Sequence, residues 1–194
     1  MEITTAQIKA LRDETGVSVM QCKKALEEAG GDVEKARVIL RKKGSEAALK
    51  KSGRMLGAGT IAAYVHNTRQ VAALVQLSCE TDFVSKNEEF VALARDIAMH
   101  VAALAPQYLM REEITAEATM RATEVFQHEV ANKSADLQEK ILAGKLDAYF
   151  KEQILLEQQF VKDPDRTIGD LIETATQKFG ERIVVSAISR LSVR

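Results

Sequence analysis

GTIAAYVHNTRQVAALVQLSC, residues 59–79, switches the hydropathy period of the chain to two. Ile61, Ala63 and Val65 alternate with Thr60, Ala62, Tyr64 and His66; beyond Asn67-Thr68-Arg69-Gln70 the alternation resumes at Val71, Ala73, Val75 and Leu77. Two alternating runs joined by a short polar segment predict a β-hairpin. Gly53, Gly57 and Gly59 precede it, but they lack the GxxxxGK(S/T) spacing and no lysine follows to meet a phosphate, so nucleotide binding by this chain is excluded. Downstream, Asn87 is placed to cap a helix with Phe90, Leu93, Ala94, Ile97 and Val101 on one face, and Pro106 ends it. Thr115 to about Lys151 reads as further helix, interrupted near Asn132-Lys133-Ser134 and weakly at Gly144. A helix over Thr167–Phe179 turns Ile168, Leu171, Ile172 and Ala175 inward and leaves at Gly180. Ile183, Val185, Ala187, Leu191 and Val193 then alternate with mostly polar neighbours, as in a strand covered on one face. Residues 57–194 therefore predict a small antiparallel sheet packed with helices, an α+β core.

The first 44 residues have the other period. Thr4 or Thr5 caps a helix that carries Ile8 and Leu11 and stops at Thr15-Gly16; Ser18 and Gln21 have capping-box spacing for a second; Asp32 caps a third, with Val33, Ala36, Ile39 and Leu40 as its inward stripe and Gly44 as its exit. On the second helix Val19, Cys22, Ala25, Leu26 and Ala29 share the inward side, while Met20 lies nearly opposite, beside Lys23 and Lys24. An outward methionine is either incidental or an apolar anchor for a partner. Residues 45–56 read as a basic, partly helical linker. Arg41, Lys42, Lys43, Lys50, Lys51 and Arg54 fall within 14 residues and suit a solvated linker or a nucleic-acid contact; the lack of interleaved aromatics favours the linker.

Composition narrows the function classes. Of the 194 residues 46% are apolar and 28% charged, with no run long enough to span a bilayer, and MEITTAQIKA lacks the features of a signal or transit peptide; a cytoplasmic setting is expected. The net charge of −1 divides into +4 over residues 1–56, with 12 Lys or Arg against 8 Asp or Glu, and −5 over the rest, with 15 against 20. Cys22 and Cys79 have no CxxC spacing, and His66, His100 and His128 lie in three different elements, so no metal or cofactor is expected. Glu80 beside Cys79 would raise a thiol pKa, and no nucleophile has a base near it in sequence, which argues against an enzyme.

Between hairpin and helix stands Cys79-Glu80-Thr81-Asp82-Phe83-Val84-Ser85-Lys86-Asn87. A phenylalanine in a surface connection either folds back or is offered to a partner, and the residues alone favour folding back. Leu11-Arg12-x-x-Thr15-Gly16 with Ser18 and Lys23-Lys24-Ala25-Leu26, together with Thr81-Asp82-Phe83-Val84-Ser85-Lys86, resembles the two signatures of the elongation factor Ts family. The resemblance implies a ubiquitin-associated-like N-terminal module that grips the G domain of elongation factor Tu through Arg12, Val19, Met20 and Lys23. It further implies that Thr81, Asp82, Phe83 and Val84 act near the magnesium and switch region, promoting guanine-nucleotide exchange without covalent chemistry. It also reverses the preference for Phe83, which becomes a residue offered to the partner. Gln76 and Ser78 stand where the family prefers Glu and Asn, and Gln158-Gln159-Phe160-Val161 where Gln-Pro-Phe-Val is usual. The length resembles the short form of the family, whose single core half implies a homodimer. The rival readings are a protein-binding module without effect on nucleotide release, and a ribosome or nucleic-acid binder using the basic cluster.

Overall fold

The computed structural model describes residues 3–130 and 134–193. Helices α1 (Thr5–Thr15), α2 (Val19–Glu28) and α3 (Val33–Lys51) open the chain, each started by a side chain that satisfies an otherwise orphaned amide. Thr4 and Gln7 form a reciprocal capping box, Asp32 accepts from the Lys35 amide at 3.1 Å, and Ser18 accepts from Gln21 at 3.4 Å, the serine half of the expected box. Gly16, at φ 68°, turns α1 into α2. Leu11, Val17, Cys22, Ala25, Leu26, Ala36 and Leu40 close into a core of their own.

Gly44 does not end α3. The helix runs on to Lys51, and Gly44 is buried inside it, where a Cβ would lie 3.2 Å from Gln177 Oε1 on α8 (Ile168–Phe179). The missing side chain lets two helices approach, a tertiary use of glycine that overrides its tendency to terminate.

Strands β1 (Ala58–Val65), β2 (Val71–Cys79) and β5 (Val184–Ser192) form an antiparallel sheet in the order β1-β2-β5. Gly59 is required there, because a Cβ would stand 2.6 Å from the Leu77 carbonyl oxygen. Helix α5 (Glu88–Leu104) packs across one face of the sheet, burying Phe90, Ala94, Ile97 and Val101 against Ala73, Val75 and Leu77, and α8 adds Ile168, Ile172 and Ala175 to the same core. The α+β expectation holds in this respect. In β1 the inward residues are Ala62 and Tyr64, while Ile61 and Val65 face out. The even alternation expected for β5 is interrupted by a bulge opposite Gln76 and Leu77: Ile183 and Val185 face inward, whereas Ala187, Leu191 and Val193 are exposed.

The single turn α4 (Asp82–Ser85) joins β2 to α5. Helices α6 (Ala116–Val130) and α7 (Ala135–Lys151) pack side by side beyond α5, with Ala122, Phe150 and Ile154 between them and the chain that follows. Asn132 and Lys133 of the expected interruption lie outside the described residues, and α7 passes through Gly144 unbroken. A two-stranded ribbon, β3 (Gln159–Phe160) with β4 (Asp163–Thr167), leads into α8.

Candidate functional site, a braced aromatic tip and an N-terminal face

On α4, successive side chains are about 100° apart, so Phe83 and Val84 must diverge. Val84 is buried in the core and anchors the turn, while Phe83 points away and is 83% exposed. Asp82 is exposed and pairs with Lys86 at 2.7 Å, one helical turn on; this neighbour holds the Asp82 carboxyl below the usual carboxylate range. The tip therefore offers one large apolar ring beside a carboxylate, on an element far too short to hold itself.

What holds it comes from the other end of the chain. Glu181, just past the αL glycine Gly180 that ends α8, accepts from the amides of Glu80 at 3.1 Å and Thr81 at 3.0 Å, and from the Thr81 hydroxyl at 2.5 Å. Glu80 returns the exchange, accepting from the Arg182 amide at 2.6 Å and from Arg54 at 3.1 Å, while Arg182 donates to the Arg54 carbonyl at 2.6 Å. The Arg182 amide and then Arg54 hold the Glu80 carboxyl below its ordinary pKa. Cys79 Sγ donates to the Thr81 carbonyl at 3.2 Å. In the sequence Arg54 stands out only as part of the basic cluster, and Glu80, Glu181 and Arg182 carry no mark of a site, because bonds that span about a hundred positions leave no local signal.

On the N-terminal module Arg12, Val19, Met20 and Lys23 are all exposed. Met20 is 63% exposed; Val19, expected on the inward stripe, is half out at the helix start. Lys23 lies 3.8 Å from Glu27, and Arg12 lies 3.9 Å from Asp13. Such loose surface pairs leave both cations available to a partner. The module is joined to the core along α3 and α8, where Arg41 binds Asp170 through two bonds of 2.8 and 2.5 Å and Ser45 donates to Glu173. Burial raises the Asp170 pKa, but Arg41 and the Thr167 amide outweigh it and leave the carboxyl below its ordinary range. Lys178 lies against Gly16 and pairs with Glu89, so it touches both units. A cleft of about 290 Å³ remains along this seam, lined by Arg37, Arg41, Asp163, Arg166, Asp170 and Glu173 among others.

Other titratable groups have structural settings. His100 is fully buried: its Nδ1 accepts from the Val161 amide at 3.3 Å, which leaves Nε2 to donate to Gln158 Oε1 at 2.9 Å. Burial pushes its pKa down. Both thiols are free and buried; burial, with Glu181 adding to it at Cys79, raises their pKa values, the opposite of what a nucleophilic thiolate requires. Among the described residues no three His, Cys, Asp or Glu side chains are grouped to hold a metal ion, and no helix is long and apolar enough to cross a membrane.

The family model described as Elongation factor TS matches residues 5–193. The chain is 45% identical to Elongation factor Ts of Carboxydothermus hydrogenoformans over 98% of its own length and 89% of that protein's. It is 46% identical to that of Herpetosiphon aurantiacus over 100% and 98% of the two chains. The Elongation factor Ts of Thermosipho melanesiensis is 44% identical over 98% of each. A match across nearly the whole length, taking in both the N-terminal face and the aromatic tip, places the chain in the elongation factor Ts family.

Proposed function

We propose that this chain is a guanine-nucleotide exchange factor of translation, acting in the cytoplasm, that binds elongation factor Tu, promotes GDP release and lets GTP take its place. A GTPase retains its nucleotide through a phosphate-cradling loop and a Mg²⁺ ion that neutralises the phosphates. Displacing either loosens the nucleotide with no covalent step, so the factor needs no catalytic residue. Phe83 enters between switch-region elements and Asp82 competes for polar groups around the metal, with Thr81 and Val84 holding the turn from either side. Linkage makes the effect reciprocal: if this chain weakens nucleotide binding, nucleotide weakens the chain's binding by the same factor. The observation that carries the reading is an 83% exposed phenylalanine on a turn braced from outside. An unsupported ring of that size would gain by folding inward.

In this reading residues 1–44 are a ubiquitin-associated-like module that grips the G domain through Arg12, Val19, Met20 and Lys23. Residues 45–56 connect it to the exchange and dimerisation core, 57–194, and no direct nucleic-acid contact is needed. The homodimer is favoured by the outer face of the sheet. Ile61 and Val65 of β1, Leu74 of β2 and Leu191 of β5 are exposed on it, and in the β-pairing Val65 and Leu191 both lie opposite Ala72 while Leu74 lies opposite Ala63, so the residues are contiguous. An uncovered apolar sheet face of this kind marks an association surface. Light scattering should give twice the 21.4 kDa chain mass, and Leu74→Lys should halve it.

Release of a fluorescent GDP analogue from elongation factor Tu, with this chain at substoichiometric amounts, tests the main proposal. Accelerated release with turnover is expected. Unchanged release in the presence of a folded chain would leave a binding module.

A further inference from the structure

Thr81 sits at the N-cap of α4, where its hydroxyl would ordinarily accept from a first-turn amide. It makes no such bond; the hydroxyl donates to Glu181 Oε1 at 2.5 Å instead. The turn that presents Phe83 has thus given up its own cap, and its amides at Glu80 and Thr81 are taken by Glu181 Oε2. Three donors converge on one carboxylate from a single two-residue stretch, and bonds to an ionised acceptor are about twice as strong as neutral ones. Glu181 is itself fixed between the end of α8 at Gly180 and Arg182, whose amide is held by Glu80. The two carboxylates cross-link the end of β2 and the approach to β5 in both directions.

We propose that Glu181 is a positioning residue for nucleotide exchange: its carboxylate orients the Thr81 turn so that Phe83 projects toward the partner. This rests on the exchange reading above. Glu181 acts through Phe83 and touches neither nucleotide nor metal. The chemistry also says which substitution is tolerated. A glutamine keeps one oxygen to accept both amides and turns its NH₂ toward the Thr81 hydroxyl, which then accepts, so all three contacts survive without the charge. Alanine loses all three and leaves two backbone donors and a hydroxyl without their partner.

Release of fluorescent GDP from elongation factor Tu, followed across a range of factor concentrations, separates maximal rate from half-saturation. Glu181→Ala should lower the maximal rate about ten-fold while the half-saturating concentration moves less than about two-fold; Glu181→Gln should stay within about two-fold of wild type in both. In a Phe83→Ala background Glu181→Ala should cause no further loss, because both act at one step. A folded Glu181→Ala protein with the wild-type maximal rate, or an added loss in the Phe83→Ala background, overturns the proposal. If Glu181→Ala does not fold, Thr81→Val, which removes only the hydroxyl donor, should lower the maximal rate about three-fold, and an unchanged rate overturns the proposal. A wild-type chain without effect on GDP release removes the exchange reading and this role together, whereas a wild-type effect equalled by Glu181→Ala removes this role alone.

Discussion

The N-terminal face and the aromatic tip are both exposed apolar sites beside charge, yet they are supported differently. Met20 stands on α2, within a module whose caps, turns and buried stripe are all local in sequence. Phe83 stands on a four-residue turn that depends on Glu181 and, through Glu80, on Arg54 and Arg182. In the proposed function the self-supporting helix supplies affinity. A turn held by long-range charge-assisted bonds keeps a ring in a position where its own hydrophobicity would not leave it.

The largest effect should come from undermining the self-supporting region. Leu26 is fully buried in the module core, and Leu26→Ala should cost about 3 kcal/mol, seen as loss of module helicity on heating. If the core domain is independently supported, its transition should persist. Next, Phe83→Ala should reduce maximal GDP release about ten-fold or more, with the melting temperature unchanged because the ring buries little in the free chain. A drop in melting temperature would mean that the ring supports the fold. Met20→Ala should raise the half-saturating concentration about five-fold and leave the maximal rate alone.

The smallest effect is one of pH. The folded His100 pKa lies below its ordinary value, so the folded state resists the proton and the unfolded state accepts it. The stabilising contribution is complete above the unfolded value of about 6.5 and is lost as pH falls from there toward the lower folded pKa. Melting temperature should therefore fall between pH 7.5 and 5.5, and His100→Gln should flatten that slope. The effect belongs to the α5 and β3 region and should leave the module's melting unaltered.

This contrast also explains what the sequence made legible. The caps at Thr4, Ser18 and Asp32, the period of two from Ile61 to Leu77, and the α5 stripe are local rules, and they reappear in the structure. Val19, half out at the start of α2, is a local departure, and the others come from tertiary context or from short elements. Gly44 is read as a stop by propensity but is used for close packing against α8; the strand after Ile183 changes phase because a bulge opposite Gln76 inserts a residue; the β3–β4 ribbon is too short to show a period. At the tip, Asp82 and Phe83 are visible as a motif, but Glu181, a hundred residues away, carries no mark of its bonds to Glu80 and Thr81. Val84 belonged to the same motif and proved to be its inward anchor.

On the proposed function, affinity and exchange reside in different regions. This separation is tested most directly by measuring GDP release from elongation factor Tu at saturating concentrations of Met20→Ala and Phe83→Ala. Met20→Ala should recover the wild-type rate at saturation and Phe83→Ala should not. Full recovery by Phe83→Ala would mean that the ring contributes to binding alone and that exchange does not reside at the tip.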